Sequence, residues 1–252
     1  MPIYSDADAY AMEEFFARDL ITDVLGPLRP GKEAQVFVCQ GSPRAGYELL
    51  AAKVYRPRAE RGFRAEETYL EGRASLRRGR AAQSSVSRAV ARRSAAGKEL
   101  LSELWVRREY DVLRRLKTCG VPVPDALACA RGAVLMEYLG DLMAPAPRLV
   151  TLELDPGEAA AMRGTLLEAV ALCLGEGLIH GDLSAYNVLV HKGQPYIIDL
   201  PQAVDAAVHA GAAELFTRDV RNLTRHFARY GIPDDGEAWA QDIWRLYERG
   251  RL

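Results

Sequence analysis

Long apolar runs are missing from this sequence: no stretch approaches the roughly 18 residues that a membrane helix requires. No membrane partner is therefore expected. Cysteine is scarce, and Cys39, Cys119, Cys129 and Cys173 lie far apart, with no CxxC pair and no Cys/His cluster. That spacing argues against a zinc site and for buried, reduced thiols. The first ten residues, MPIYSDADAY, lack the basic and apolar regions of a signal peptide. A cytoplasmic location is expected. Excess charge is missing too, since the formal net charge is −1, so bulk charge points to no partner. No internal repeat is visible.

What is present is an ordinary globular balance over 252 residues, 49% apolar and 27% charged. This suffices for one or two packed domains. The charge is unevenly spread. Between Arg56 and Lys98 there are twelve Lys/Arg against four acids. This Arg-, Ala-, Ser- and Gly-rich stretch reads as a long insertion.

Around it, periodicity predicts regular elements. Met12, Phe15, Phe16 and Leu20 suggest a helix over 6–24, punctuated by Gly26-Pro27. AQVFVC (34–39) and ELLAAKVY (48–55), joined by GSPRAG, suggest a hairpin. Residues 99–118 suggest a helix with Leu101, Leu104, Trp105, Tyr110, Leu113 and Leu116 as its apolar stripe, stopped at Gly120–Pro124. A strand over 133–139, a connector over 141–156 and a helix over 157–175 follow. NVLVH and YIIDL suggest two short strands about a Lys192-Gly193-Gln194 turn, and two helices, over 208–230 and 234–249, finish the chain. Strands crowd the first half and helices the second. The expected fold is α+β and bilobal, with a small β-rich lobe (1–136), a hinge (137–142) and a mostly helical lobe (143–252).

The sharpest motif is His180-Gly181-Asp182-Leu183-Ser184-Ala185-Tyr186-Asn187, followed by Asp199 in Tyr196-Ile-Ile-Asp-Leu. Phosphoryl transfer asks a protein mainly for metal ligands and for a group that orients the attacking hydroxyl. Hard magnesium ions take oxygen ligands. Asp199, at the end of an apolar strand, and the amide oxygen of Asn187 supply them. Asp182 is placed to accept the proton of a substrate hydroxyl. The Asp-x4-Asn spacing with a second Asp on a following hairpin fits the kinase catalytic-loop pattern. Taken alone, Asp182, Ser184 and Asn187 would equally suit a capped turn. Order decides between the two. Gly31-Lys32-Glu33-Ala34 precedes the first strand of the hairpin. Lys53 sits in an apolar strand, where a lone charge is costly unless paired, and Glu109 on the 99–118 helix is its natural partner. Met136-Glu137-Tyr138-Leu139 suits a hinge that offers adenine its backbone.

GKEAQVF (31–37), AAKVYRP (51–57), WVRREYDVLRRL (105–116), VPVP (121–124), VLMEYLG (134–140), HGDLSAYNVLV (180–190) and YIIDLPQAVD (196–205) together make the chain resemble the RIO family of atypical protein kinases. The resemblance spans nearly the whole sequence. DLSxYN followed by IIDxxQ is its most specific part. It implies ATP with magnesium, or manganese in its place, as cofactors, and nucleotide contacts at Gly31, Lys32, Glu33, Ala34, Val36, Ala51, Lys53, Met136, Glu137, Leu139, Leu189 and Ile198. It also implies a Lys53–Glu109 pair at the α/β-phosphates, Asp182 as the catalytic residue, and Asn187 and Asp199 as metal ligands. Asp199 is additionally the position at which the family can carry a transient phosphoryl group. About two dozen residues precede the glycine loop, too few for a winged helix, so the chain resembles the branch without one. Autophosphorylation is then expected in the insertion, with Ser84, Ser85, Ser87 and Ser94 as candidates.

The chain departs from ordinary kinases in four ways. It has no GxGxxG. No Ala-Pro-Glu follows Asp199, and no activation loop of usual length follows it. Leu-Pro-Gln, not Phe-Gly, comes after Asp199. Three functions remain open at this point. One is a serine kinase with an unidentified protein substrate. Another is an ATPase switch on a ribosomal or other RNA–protein particle, contacted through basic residues 56–98. The third is a small-molecule phosphotransferase of the aminoglycoside-kinase kind, which the DLSAYN and IIDLPQ details oppose.

Overall fold

The computed structural model describes residues 5–28, 34–55 and 95–252, leaving aside the side chains of 6, 7, 95–102, 104 and 105. Residues 56–94 of the expected insertion, with the four candidate serines, and Gly31, Lys32 and Glu33 lie outside the described residues, whereas 95–98, expected in the insertion, already belong to a helix. The described chain is α+β and divides into two compact units: 5–28 and 34–55 with 95–114 and 124–145, and 115–123 with 146–252.

The first unit is built on an antiparallel sheet. Ser5 caps helix α1 (Asp6–Ala17) with a reciprocal bond to Asp8, satisfying two amides that would otherwise be orphaned. The helix is shorter than its periodicity suggests. Asp19 adopts φ 53°, and Ile21, Thr22 and Val24 then run as strand β1 (Ile21–Pro27). The β-branched side chains suit a pleated strand better than a helix. Met12 and Phe15 are buried as expected, whereas Phe16 faces outward. Strands β2 (Ala34–Gly41) and β3 (Leu49–Tyr55) form the expected hairpin. β5 (Ala133–Glu137) pairs with β3, and β4 (Ala126–Ala130) covers the edge, for an order β1-β2-β3-β5-β4. β4 was not foreseen, because its sequence ALACA carries almost no strand preference.

Alternation across this sheet does the sorting. Phe37, Cys39, Leu50, Ala52, Val54 and Leu135 point to one face and join Met12 and Phe15 in a single core. Val36, Ala51, Lys53, Tyr55, Val134 and Met136, at the intervening positions, belong to the other. Burial pushes the Cys39 thiol up to about 12, consistent with a packing role. Helix α2 (Ala95–Thr118) brings Tyr110 and Leu113, both buried as expected, to this unit.

The second unit is mainly helical. Asp155 and Glu158 form a capping box at the start of α3 (Pro156–Gly175), and Pro156 occupies the first turn, where its missing N–H is harmless. β7 (Val188–His191) and β8 (Gln194–Ile197) make a tight hairpin. Lys192 and Gly193, at φ 50° and 76°, form its two-residue turn, the left-handed pair that a twisted hairpin favours. β6 (Leu178–Ile179) pairs with β9 (Val204–Asp205), an association of two-residue strands too short to read from sequence. Helices α4 (Ala212–Phe227) and α5 (Gly236–Glu248) close the unit, each shorter than expected. They approach closely at Gly236, where a Cβ would lie 2.1 Å from Thr224 Oγ1. Phe216 packs there against Trp239 and Trp244.

Phe15 links α1 to the sheet and is fully buried. Phe15→Ala should lower the unfolding free energy in urea by about 3–5 kcal/mol. A loss below about 1 kcal/mol would contradict this core.

Candidate active site

Two constellations of sequence-predicted residues form, one in each unit. In the first, strand period places Lys53 and Tyr55 on the same face of β3, two residues apart. Lys53 Nζ donates to Glu109 Oε1 at 2.7 Å, and Tyr55 Oη donates to Glu109 Oε2. Glu109 is almost wholly buried, at 2% exposure, and the Lys53 side chain is at 14%. Removing one partner from such a pair would strand a charge in a desolvated place. The ammonium of Lys53 also lies 5.2 Å from the centre of the Tyr55 ring, within range of a cation–π attraction. Burial first, and then the Glu109 charge, hold the Tyr55 hydroxyl well above its usual range, opposed by Lys53. It therefore stays protonated and donates. Tyr55 was not singled out from sequence; its spacing of two from Lys53 was the available signal.

The other expected nucleotide contacts of this unit lie where alternation puts them. Val36 and Met136 are half-buried, and Ala51 is buried. In the register, Lys53 is paired with Val36 on one side and Val134 on the other, and Ala51 with Met136. Ala34 and Leu139 are buried. Glu137 is engaged locally: its amide donates to the Asp125 carbonyl at 2.8 Å, and its carboxylate accepts from the Asp125 amide at 3.1 Å.

In the second unit, Asp182, Asn187 and Asp199 are linked through the loop and the hairpin that follows it. Asn187 Nδ2 donates to the Asp182 carbonyl at 2.8 Å, which ties the two ends of the loop together. The Ile198 amide donates to the Asn187 carbonyl at 3.0 Å, and Val188 pairs with Ile197. Asn187 and Asp199 therefore emerge from the same open end of the β7–β8 hairpin. Asp199 does not end the strand, as expected, but stands two residues beyond it with φ 67°. This left-handed geometry is uncommon outside glycine and turns the chain sharply out of the hairpin. Leu189 and Ile198 are half-buried.

The loop is held from behind. The Asp182 amide donates to His180 Nδ1 at 3.3 Å, so the proton of the imidazole sits on Nε2, 3.0 Å from the Ile198 carbonyl. Asp219, on α4 and 2% exposed, accepts from the amides of Gly181 at 2.7 Å and Leu183 at 3.2 Å. Burial raises the Asp219 carboxyl above its ordinary range, and the His180 ring and the two amides oppose that shift. Asp219 escaped the sequence reading because it lies over thirty residues downstream. A signal existed: Asp219 falls at i+3 from Phe216 on the apolar face of its helix, where an unpaired charge is costly. Gly181 is equally constrained. Its φ is 84°, and a Cβ would lie 2.5 Å from the Gln202 carbonyl.

The donor set suits a hard divalent cation. The amide nitrogen of Asn187 is engaged with Asp182, which orients its oxygen as a donor, and Asp199 adds a carboxylate. Among the described residues no group of three or more His, Cys, Asp or Glu could hold a metal ion by itself. Magnesium commonly takes only one or two protein oxygens and completes its shell with phosphates and water.

The profile of the RIO domain matches residues 35–238. The RIO-type serine/threonine-protein kinase Rio1 of Haloferax volcanii is 33% identical over 236 residues, covering 94% of this chain and 74% of the relative. The protein of the same description from Thermoplasma acidophilum is 36% identical over 132 residues, covering 52% of this chain and 68% of the relative. The serine/threonine-protein kinase RIO1 of Chaetomium thermophilum is 30% identical over 229 residues, but this chain spans only 41% of its length.

Asp219→Asn should lower the melting temperature. An amide oxygen can accept from one loop N–H, while its NH2 group confronts the other, and an unmet buried donor costs about 1–3 kcal/mol. A variant as stable as the parent would contradict the clamp.

Proposed function

Because this chain belongs to the RIO family of atypical serine/threonine protein kinases, we propose that it transfers the γ-phosphoryl group of ATP to serine hydroxyls, its own included. The loop geometry carries this reading: the Asn187 side-chain amide is oriented by its hydrogen bond to the backbone carbonyl of Asp182, whose carboxylate is exposed, and Asp199 leaves the same hairpin end. Asn187 and Asp199 would hold magnesium, which supplies charge neutralisation on the phosphates when bound.

The chain's own residues do the rest. Lys53, held by Glu109 and presented beside Tyr55, grips the α/β-phosphates as a point charge. The Asp182 carboxylate accepts the hydroxyl proton as the serine oxygen bonds to the γ-phosphorus and the bond to the β-phosphate oxygen breaks. His180 and Asp219 touch neither reactant in this account. They fix the backbone on either side of Asp182, and preorganisation of this kind is where phosphoryl transfer draws most of its rate.

Purified protein should label itself with γ-labelled ATP only when magnesium or manganese is supplied. Asp182→Asn should lower kcat by about 10²–10⁴-fold with a modest change in KM for ATP, whereas Lys53→Ala should act mainly through KM. Full turnover in Asp182→Asn or Asp199→Asn would refute the assignment.

A further inference from the structure

Helix α4 carries a row of arginines that the proposed reaction does not use. Arg218, Arg221 and Arg225 recur at i, i+3 and i+7, and all are exposed. At about 100° per residue they fall within about 60° of one another around the helix. Phe216, Val220, Leu223 and Phe227, all buried, occupy the opposite side. Glu214 is the one acid on the exposed face of this helix, and it precedes the row; Asp219 is turned inward to the loop amides. Among the described residues, no carboxylate forms a salt bridge with Arg221 or Arg225. Arg229, one turn further on, is already engaged with the Leu152 carbonyl and Tyr230.

Exposed arginines on a helix often form no more than a solvated face. This row differs in where it begins. Arg218 Nη2 donates to the carbonyl of Gly181, the residue before Asp182, and lies 3.6 Å from Asp219 Oδ1, so Arg218 is committed to the loop and leaves Arg221 and Arg225 to face outward. The next residue of the helix, Asp219, holds the amides on either side of Asp182. From Arg218 to Arg225 the helix rises by about 10 Å, which an extended peptide covers in about three residues.

We propose that Arg221 and Arg225, in the row that Arg218 anchors to the loop, dock acidic side chains on one flank of the serine or threonine that Asp182 addresses, so that the enzyme selects acid-flanked peptides. The proposal deepens the kinase reading and rests on it. Arginine forks match carboxylates two bonds at a time. The row also offsets the repulsion that an acidic peptide would meet from Asp182 and Asp199, and such complementarity governs encounter and selectivity. A peptide is favoured over a nucleic acid on two grounds. The row adjoins the group that accepts a hydroxyl proton, and two arginines offer few of the phosphate contacts on which nucleic-acid affinity depends.

The test compares two serine peptides, identical except that one carries glutamates and the other glutamines around the acceptor. The parent protein should favour the acidic peptide in kcat/KM by about tenfold, as expected for a few partly exposed charge pairs. Arg221→Glu with Arg225→Glu should abolish that preference and favour a lysine-flanked peptide, with KM for ATP as a check on folding. Equal use of the acidic and neutral peptides by the parent, or an unchanged acidic preference in the double variant, overturns the docking row alone. So does loss of binding to a single-stranded RNA oligonucleotide by the double variant with its peptide preference intact. A parent protein that binds ATP but phosphorylates neither peptide nor itself overturns the kinase reading, and the docking row with it.

Discussion

The second unit depends on one buried carboxylate. Asp219 lies on the apolar side of α4, where desolvation disfavours its charge, and it is stabilised there by the amides of Gly181 and Leu183. Those amides belong to a loop whose Gly181 already sits in a left-handed conformation with no room for a side chain. The loop cannot relax toward the helix or away from it without losing one of these contacts. Asp182 thereby inherits a fixed backbone although its own side chain faces solvent. The Asn187-to-Asp182 bond and the His180 ring close the remaining freedom.

The first unit solves a different problem, that of placing an ammonium group in a largely apolar sheet. Strand alternation sends Lys53 away from the core of Phe15, Phe37 and Leu50, and α2 supplies Glu109 on that side. A buried ion pair contributes little to stability once desolvation is counted. Its retention here is better explained by orientation. Glu109 has a hydrogen bond to each oxygen, from Lys53 and from Tyr55, so its direction is over-determined, and so is that of the lysine.

Much of this was legible in the sequence because it is local. Lys53 in a strand, Glu109 in a helix and the Asp182–Asn187 spacing each sit inside one element whose period is visible. The misreadings arose where local preference is weak or where tertiary context overrides it. Residues 18–24 continue an apolar helical pattern, yet Asp19 breaks the helix and the β-branched residues after it join the sheet. ALACA becomes β4 only because β5 offers it a partner. Asp219 and Tyr55 are joined to the residues they support through space, over separations that no local motif records. Asp199 shows a mixed outcome: its identity was readable, but its left-handed turn beyond Ile197 was not.

In the proposed reaction the γ-phosphoryl group passes to a serine hydroxyl under the direction of Asp182. The most direct measurement is the chemical stability of the phosphoryl–protein bond formed in a single turnover with γ-labelled ATP. The label should survive acid and be released by mild base, as expected for a serine ester. Label lost to hydroxylamine, and absent from Asp199→Asn, would mark an acyl phosphate on Asp199 and contradict transfer to serine.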